Sequence, residues 1–565
     1  MAKNKAKYAD WTKEDLINRI QALEKRKKYG LVWDEERTKE KFEADAQGKL
    51  PVLKEIKSKE IKTDPDKPTH ILIEGDNYHA LSVLCYTHEK SIDVIYIDPP
   101  YNTGNKSWKY NNDYVEKDDA FRHSKWLSFM GKRLALTRRL LKESGIILVT
   151  IDDYEMHTLK LLMDQIFGES NRLGTITIVN KPEGRTDDKF IPTAHEYMLV
   201  YGRNANKCAV NKLPTYEEEY YDNYPLEDEV SRYKLKGLRR GGANSRRQDR
   251  PNLYYPIYFD PEDGDVSLTK VNGDYIEILP IDSKNIERCW RWGNQRISES
   301  RSELVFKKVG DKWDIFVKSR AISAIKATTV WNNPKYNPSA HGTKLLEEIL
   351  GRTKAFDYPK SLYAVIDAVA MSSKNNSVVL DFFAGSGTTG HAVLELNKRD
   401  GGNREFILCT NNENGICEEV CYPRITSVIK GYRTKKRKKV EGLRGNLKYF
   451  RTAFVPSEPT DKNKELLTKQ SVEMLCLRES TFDFVSETDA FKIYKNKDHY
   501  TGIIFDQLAI PKFKKAVSKY DNPVSVYVFS LGDDDFSEEF ADMKKTVKVC
   551  SIPEAILRVY RRIFK

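Results

Sequence analysis

The 565-residue sequence has no run of eighteen apolar residues, and its opening Met1-Ala2-Lys3-Asn4-Lys5 leads into no apolar segment. Neither a membrane span nor a secretory leader is expected, so the expected location is cytoplasmic, with no membrane partner. Cysteine is sparse at eight, and the one close pair, Cys417 and Cys421, has no flanking histidine and no second pair beside it. Reduced thiols are expected there, with no metal and no disulfide framework. A phosphate loop of the form G-x-x-x-x-G-K-[ST] is missing, as is a paired-carboxylate nuclease motif, so a nucleic-acid motor or nuclease within the chain is not expected. Internal repeats are absent as well.

Apolar residues make up 39% of the chain, with 31 Tyr and 23 Phe, enough to build real cores. The formal net charge of +12 suits a polyanionic partner, although a merely cationic surface reads the same way. The length exceeds what one core organises, so several domains are expected.

Residues 1–60 read as an N-terminal helical segment. Thr12 and Asp15 form a capping box, and Leu16, Ile17, Ile20 and Leu23 recur at helical spacing over 11–27. From 61 to 204 short apolar strands alternate with helices: Ile71–Glu74, Ile92–Ile97, Ile146–Ile151, Thr175–Val179 and Tyr197–Tyr201 are the strands. This rhythm predicts an α/β, doubly wound, parallel sheet. Over 205–330 it lapses into a mostly β or irregular insert, and it returns over 331–455 with the strands Val378–Phe382 and Phe406–Thr410. A charged spacer near 456–465 precedes residues 466–565, which read as a small separate α/β domain.

Two motifs carry chemistry. Asp98-Pro99-Pro100-Tyr101 follows directly on the apolar strand Ile92–Ile97, where open α/β sheets place their ligands. A carboxylate and a prolyl carbonyl can accept both hydrogens of an exocyclic amine and favour a pyramidal nitrogen, whose lone pair is otherwise delocalised into the ring. Two prolines remove two backbone donors and stiffen the turn, and the tyrosine offers a flat face to a flipped base. The bland alternative is a proline-rich strand end with a capping Asp. The second motif, Leu380-Asp381-Phe382-Phe383-Ala384-Gly385-Ser386-Gly387-Thr388-Thr389, is a strand running into a glycine turn that opens a helix. Gly385 and Gly387 allow close approach of the backbone to a ligand. One strand later Glu413, in Thr410-Asn411-Asn412-Glu413, is placed to bind ribose hydroxyls, unless it is only a solvent-facing loop carboxylate.

The glycine turn resembles the methionine-pocket loop of S-adenosylmethionine-dependent methyltransferases. The order of the motifs, tetrapeptide first, resembles the permuted, beta-type amino-methyltransferases and most closely the modification (Mod) subunits of Type III restriction–modification systems. Ile73-Glu74-Gly75-Asp76-Asn77, Asp357-Tyr358-Pro359-Lys360-Ser361-Leu362 and the Asn244–Pro256 stretch resemble further segments of that family. The resemblance covers about residues 10–450 and implies S-adenosylmethionine as cofactor. It places Asp76 and Asn77 near the cofactor adenine, and Lys360 with Asp381, Phe382, Phe383, Gly385, Gly387 and Glu413 around its pocket. An Asp rather than a Ser at the head of the tetrapeptide implies methylation at N6 of adenine in double-stranded DNA. The same family implies a homodimer and a separate helicase–nuclease subunit, with residues 466–565 as a docking or dimerisation domain.

The insert sits where such enzymes keep target recognition. Arg239, Arg240, Arg246, Arg247 and Arg250 could contact phosphates or guanine edges, or form a solvated loop. Trp290-Arg291-Trp292 interleaves rings and charge as DNA-contacting residues do, although core packing of the two Trp reads equally well. The competing functions are cytosine-N4 methylation, methylation of an RNA base or a protein amide, and a DNA-specificity subunit without catalysis.

Overall fold

The computed structural model describes residues 12–17, 33, 48–110, 113–116, 119–185, 188–214, 221–271, 273–532, 534–543 and 546–564. They form two compact units, Met1–Asn211 with Ala327–Lys565, and Lys212–Lys326.

The first unit is built on a ten-stranded sheet. Its order is Lys49–Glu55, Asn446–Pro456, Thr69–Glu74, Glu405–Thr410, Val378–Asp381, Ile92–Ile97, Leu141–Ile151, His195–Gly202, Arg172–Val179 and Val330–Trp331. The strands from Asn446–Pro456 through Leu141–Ile151 are mutually parallel. They are near-continuous apolar runs because both of their faces are covered; Val94, Ile95, Ile97, Leu380, Leu408 and Leu148 are fully buried. Helices Asn77–Thr87, Arg122–Leu140, Thr388–Asp400 and Tyr422–Lys430 supply the crossovers.

This topology creates the crevice. Ile92–Ile97 and Val378–Asp381 are hydrogen-bonded neighbours, with Val94 opposite Val379 and Ile95 opposite Leu380. The crossover leaving the first leads to Leu141–Ile151 on one side, and that leaving the second leads to Glu405–Thr410 on the other. Between carboxyl ends whose connections diverge, no helix fills the edge, and ligands bind there.

Several sequence expectations need correction. The sheet is mixed rather than parallel throughout: His195–Gly202 runs antiparallel to both Leu141–Ile151 and Arg172–Val179. The link from Arg172–Val179 to His195–Gly202 carries no helix among its described residues, so the chain turns back as a hairpin does. Residues 49–55, assigned to a helical segment, are an antiparallel edge strand, which tolerates the missing amide of Pro51. Of the expected helix at 11–27, residues 13–17 are helical and the Thr12–Asp15 capping box is formed; the rest lies outside the described residues. The insert occupies 212–326 rather than 205–330, because Val330–Trp331 pairs into the main sheet.

Residues 466–565 do form their own five-stranded sheet, but not a separate unit. One side shares the core of the main sheet through Leu467, Val472, Leu475, Tyr527, Ile556 and Tyr560. Its other side has its own cluster around Ile493, Phe513 and Val526. The Tyr560 hydroxyl donates to the Pro51 carbonyl. An apolar face on each side of the sheet, rather than one, explains why the segment is not independent.

The second unit contains a four-stranded sheet in the order Leu226–Glu227, Arg232–Gly237, Lys312–Arg320, Leu304–Val309, and a three-stranded sheet around Ile257–Phe259. Its core includes Leu238, Phe259, Trp290, Ile297 and Ile315.

Candidate active site

Asp98 projects from the end of Ile92–Ile97. Its Oδ1 accepts a hydrogen bond from the Thr150 hydroxyl at 2.7 Å and lies 3.2 Å from the Lys360 ammonium. Thr150 stands on the neighbouring strand, and Lys360 lies two residues before the helix Leu362–Ser372. Lys360 also meets Glu196 Oε2 at 2.5 Å and donates to the Tyr101 hydroxyl, which itself donates to Glu196 at 3.0 Å. Burial by itself would lower the Lys360 pKa, but Asp98 and Glu196 outweigh it and hold the ammonium above the ordinary lysine value. Burial, then Asp98 and Glu196, push the Tyr101 phenol well above its usual value, so it remains a donor. The Trp126 indole donates to the Pro100 carbonyl at 2.7 Å and, fully buried, pins the turn.

Past the tetrapeptide, Asn102 takes a positive φ of 56°, and its side-chain amide donates to the buried carboxylate of Glu155 at 2.5 Å. His123 engages the same oxygen. Glu155 thus braces the loop that leaves the site.

The glycine turn is equally built. The Asp381 carboxylate accepts the Phe383 amide at 2.9 Å and the Thr389 hydroxyl at 2.5 Å, tying the strand end to the first turn of Thr388–Asp400. Burial first, and nearby Asp98 with it, raise its pKa to about 7 against those two hydrogen bonds. Gly385 and Gly387 have φ of 48° and 78°. A Cβ on them would lie 3.2 Å from Phe356 and 3.1 Å from Cys421 respectively. Phe382 is buried, and the half-buried Phe383 ring packs against Phe129.

Asp76 caps the helix Asn77–Thr87, accepting the Tyr78 amide at 2.8 Å, and pairs with Arg133 at 3.3 Å. The Asn77 amide donates to the Phe382 carbonyl at 3.1 Å, so the two halves of the pocket are stitched together. Glu413 is half-buried on a short turn after Glu405–Thr410. The polar partners of Lys360 lie with the tetrapeptide and Glu196 rather than with the glycine turn.

Sequence reasoning missed Thr150, Glu196, Glu155 and Trp126. A hydroxyl within the apolar Leu148-Val149-Thr150-Ile151 and a carboxylate at the head of Tyr197-Met198-Leu199-Val200 were the available signals. Asp152 directly follows Leu141–Ile151. It is buried, its Oδ2 has no hydrogen-bond partner, and burial raises it to about 7.

Within the insert the tryptophan assignment changes. Trp290 is fully buried and donates to the Tyr255 carbonyl at 2.8 Å, so it is core and cannot reach DNA. Its indole closes the centre of the unit, and alternation with Arg291 directs only the neighbour outward. Trp292 is half-buried with Arg296 over its ring at 4.4 Å. Arg239 is half-buried and spent on Asp314 at 3.1 Å and the Ile281 carbonyl. Arg240 is half-buried, whereas Arg246, Arg247, Arg250 and Arg291 are exposed, Arg247 pairing with Glu287 at 3.1 Å. Among the described residues no helix is long and apolar enough to cross a membrane, and all eight cysteines are free thiols.

A family model described as DNA methylase matches residues 92–420. The type II methyltransferase M.KpnI of Klebsiella pneumoniae is 39% identical over 351 residues, 61% of this chain and 82% of that protein. The type III restriction-modification enzyme EcoPI Mod subunit of Escherichia phage P1 is 32% identical, covering 64% of this chain and 60% of its own length. The StyLTI Mod subunit of Salmonella typhimurium is 30% identical, with shares of 66% and 58%. The chain thus spans about 60% of the length of these Mod subunits. The matched span runs from the strand bearing the tetrapeptide to beyond the glycine turn, more than half the chain, and the chain belongs to the N6/N4 DNA methylase family.

Proposed function

We propose that this chain transfers the methyl group of S-adenosylmethionine to N6 of an adenine flipped out of a specific duplex sequence, as the modification subunit of a Type III restriction–modification system. One observation carries the reading: Asp98-Pro99-Pro100-Tyr101 and the Asp381–Thr389 glycine turn, almost three hundred residues apart in sequence, end neighbouring parallel strands at one crevice.

The residues present suit this cofactor. A buried carboxylate at Asp381 and the nearby Asp98 match a cationic sulfonium and ammonium, and the turn opening Thr388–Asp400 presents helix amides to a carboxylate. Asp76, Asn77 and Glu413 would hold the adenosine, and Phe383 would supply an apolar wall. When bound, the cofactor supplies an electrophilic methyl group.

This chain's own residues prepare the acceptor. Thr150 and Lys360 both engage Oδ1 of Asp98, leaving Oδ2 for the adenine amine, whose second hydrogen goes to the Pro99 carbonyl. Both acceptors strengthen as the nitrogen becomes pyramidal, so they stabilise the transition state more than the ground state. The Lys360 ammonium lies 4.6 Å from the centroid of the Tyr101 ring, and the base stacks on the opposite face. Arg246, Arg250 and Arg291, with the exposed Lys307, Lys308 and Lys312, supply cations for reading the duplex. Two copies of the chain, and a separate helicase–nuclease subunit, complete the assembly; the likeness to Mod subunits of restriction-modification enzymes supports the separate subunit.

Sequencing DNA from cells expressing this chain alone should reveal N6-methyladenine at one sequence motif, lost in Asp98→Ala. Methylation at cytosine N4 would replace the adenine assignment, and unmodified DNA that is nonetheless bound sequence-specifically would support a specificity subunit.

A further inference from the structure

Phe190 and Ile191 are 85% and 86% exposed, side by side, in a chain whose other apolar residues are mostly buried. They lie in the segment joining Arg172–Val179 to His195–Gly202. Since the first of these strands is parallel to Leu141–Ile151, the segment emerges at the same edge as Asp98 and Asp381. Its far root is the active site itself, for Glu196 contacts Tyr101 and Lys360. Glu196 is six positions on from Phe190, so the pair lies within about 20 Å of the tetrapeptide network.

The segment has a braced stem. The Lys181 amide donates to the Ala194 carbonyl and the Arg185 amide to Thr193, both at 3.1 Å, while Asp188 accepts the Thr193 amide at 2.7 Å. Gly184 has a φ of 79°, and a Cβ there would come within 2.4 Å of Pro192, so the limbs press together where no side chain fits. Lys181, Arg185 and Lys189 flank the tip, and the Lys189 ammonium lies 5.2 Å from the Phe190 ring. Arg185 is near enough to Asp152, at the edge of the crevice, to lower its pKa.

An apolar tip framed by cations, standing beside a site that needs an extruded base, matches a duplex: phosphates meet the cations, and the vacated stack meets the rings. We propose that Phe190 and Ile191 form a wedge that enters the base stack of duplex DNA next to the target adenine and holds the gap open while the base is in the crevice. This rests on the adenine-methylating reading above.

The test uses the full chain, a matched duplex bearing the motif found by sequencing, and the same duplex with an abasic site opposite the target adenine, where extrusion costs least. The double variant Phe190→Ser with Ile191→Ser should methylate the matched duplex about ten-fold or more slowly and the abasic duplex within about two-fold of wild type. Its cofactor affinity, measured by calorimetry, should be unchanged. Equal slowing on both duplexes, or slowing on neither, would overturn the wedge. Phe190→Trp should retain activity and lose indole fluorescence on binding the matched duplex, as a stacked ring does. Quenching without methylation by any form of the chain would keep the wedge and sink the adenine reading. Methylation without quenching would do the reverse.

Discussion

At the scale of single residues, the site depends on how one carboxylate is held. Asp98→Ala should leave a folded, cofactor-binding protein whose turnover falls about 10²–10³-fold, the loss found when one preorganised partner of a transition state is removed. Single-turnover methylation beside calorimetry checks this, and a wild-type rate would remove Asp98 from the chemistry. Glu196→Gln keeps the shape but removes one of the two charges that hold Lys360 protonated. With that charge-assisted hydrogen bond lost, Lys360 is held less firmly beside Asp98, so kcat should fall about ten-fold. The alkaline limb of its pH profile should also move to lower pH, and an unmoved profile would limit Glu196 to packing. Asp152 gives a stability test. Its carboxyl lies at about 7 in the fold against an ordinary 3.8, so the folded chain binds its proton more tightly than the unfolded one. That advantage is complete below about pH 4 and is lost as pH rises through 7. Asp152→Asn should therefore raise Tm by about a few degrees at pH 8 and by less at pH 4, read by scanning calorimetry. Asp98 was legible because a rare tetrapeptide followed a strand. Glu196 was not, because one carboxylate at a strand end has many uses and only the pairing of His195–Gly202 beside Leu141–Ile151 brings it to Tyr101.

At the scale of elements, the proposed function gives the glycine turn and the insert separable jobs. Gly385→Val and Gly387→Val should each abolish cofactor binding. The sequence alone suggested that an added side chain would occupy the ligand's path. The structure locates the conflict in the protein: both glycines need positive φ, and a Cβ would press on Phe356 or Cys421. A β-branched residue at such a φ costs about 1–3 kcal/mol in strain, which the turn relieves by moving. Unchanged cofactor affinity in both variants would place the pocket elsewhere. The insert should be exchanged over residues 212–326, which leaves Val330–Trp331 paired in the main sheet. Grafting that span from a relative should change the methylated sequence and preserve the transfer step, and an unaltered motif would locate recognition outside it. Strands of the main sheet were legible because burial on both faces makes them continuous apolar runs. The insert's strands were not, since they are short and one-sided, and their partners are set by pairing across distant sequence.

At the scale of the whole molecule, the last hundred residues matter differently from the sequence expectation. A docking domain could be deleted without harm to the enzyme, but Leu467, Leu475, Ile556 and Tyr560 share the core of the main sheet. Deleting 466–565 should expose Leu53, Leu84 and their neighbours and leave an insoluble or low-melting chain, because apolar area returned to water costs about 25 cal/mol per Å². A truncated chain that melts at the wild-type temperature would restore the docking reading. Light scattering of the full chain at micromolar concentration should report a dimer, and a monomer would remove that part of the assembly.

The sequence by itself determined which motifs this member of the N6/N4 DNA methylase family carries: the tetrapeptide, the glycine turn and their strands are local signals, each set by neighbouring residues. It also determined the permuted order of the motifs, which is a matter of reading along the chain. Only the tertiary structure decided which side chains meet across those motifs. Thr150 and Lys360 come from distant segments to the Asp98 carboxylate, Glu196 joins them through Lys360, and Trp290 turns inward while Arg291 turns out. Such outcomes depend on strand order and on which face each element buries, and these are fixed by the packing of the whole chain rather than by any stretch of it.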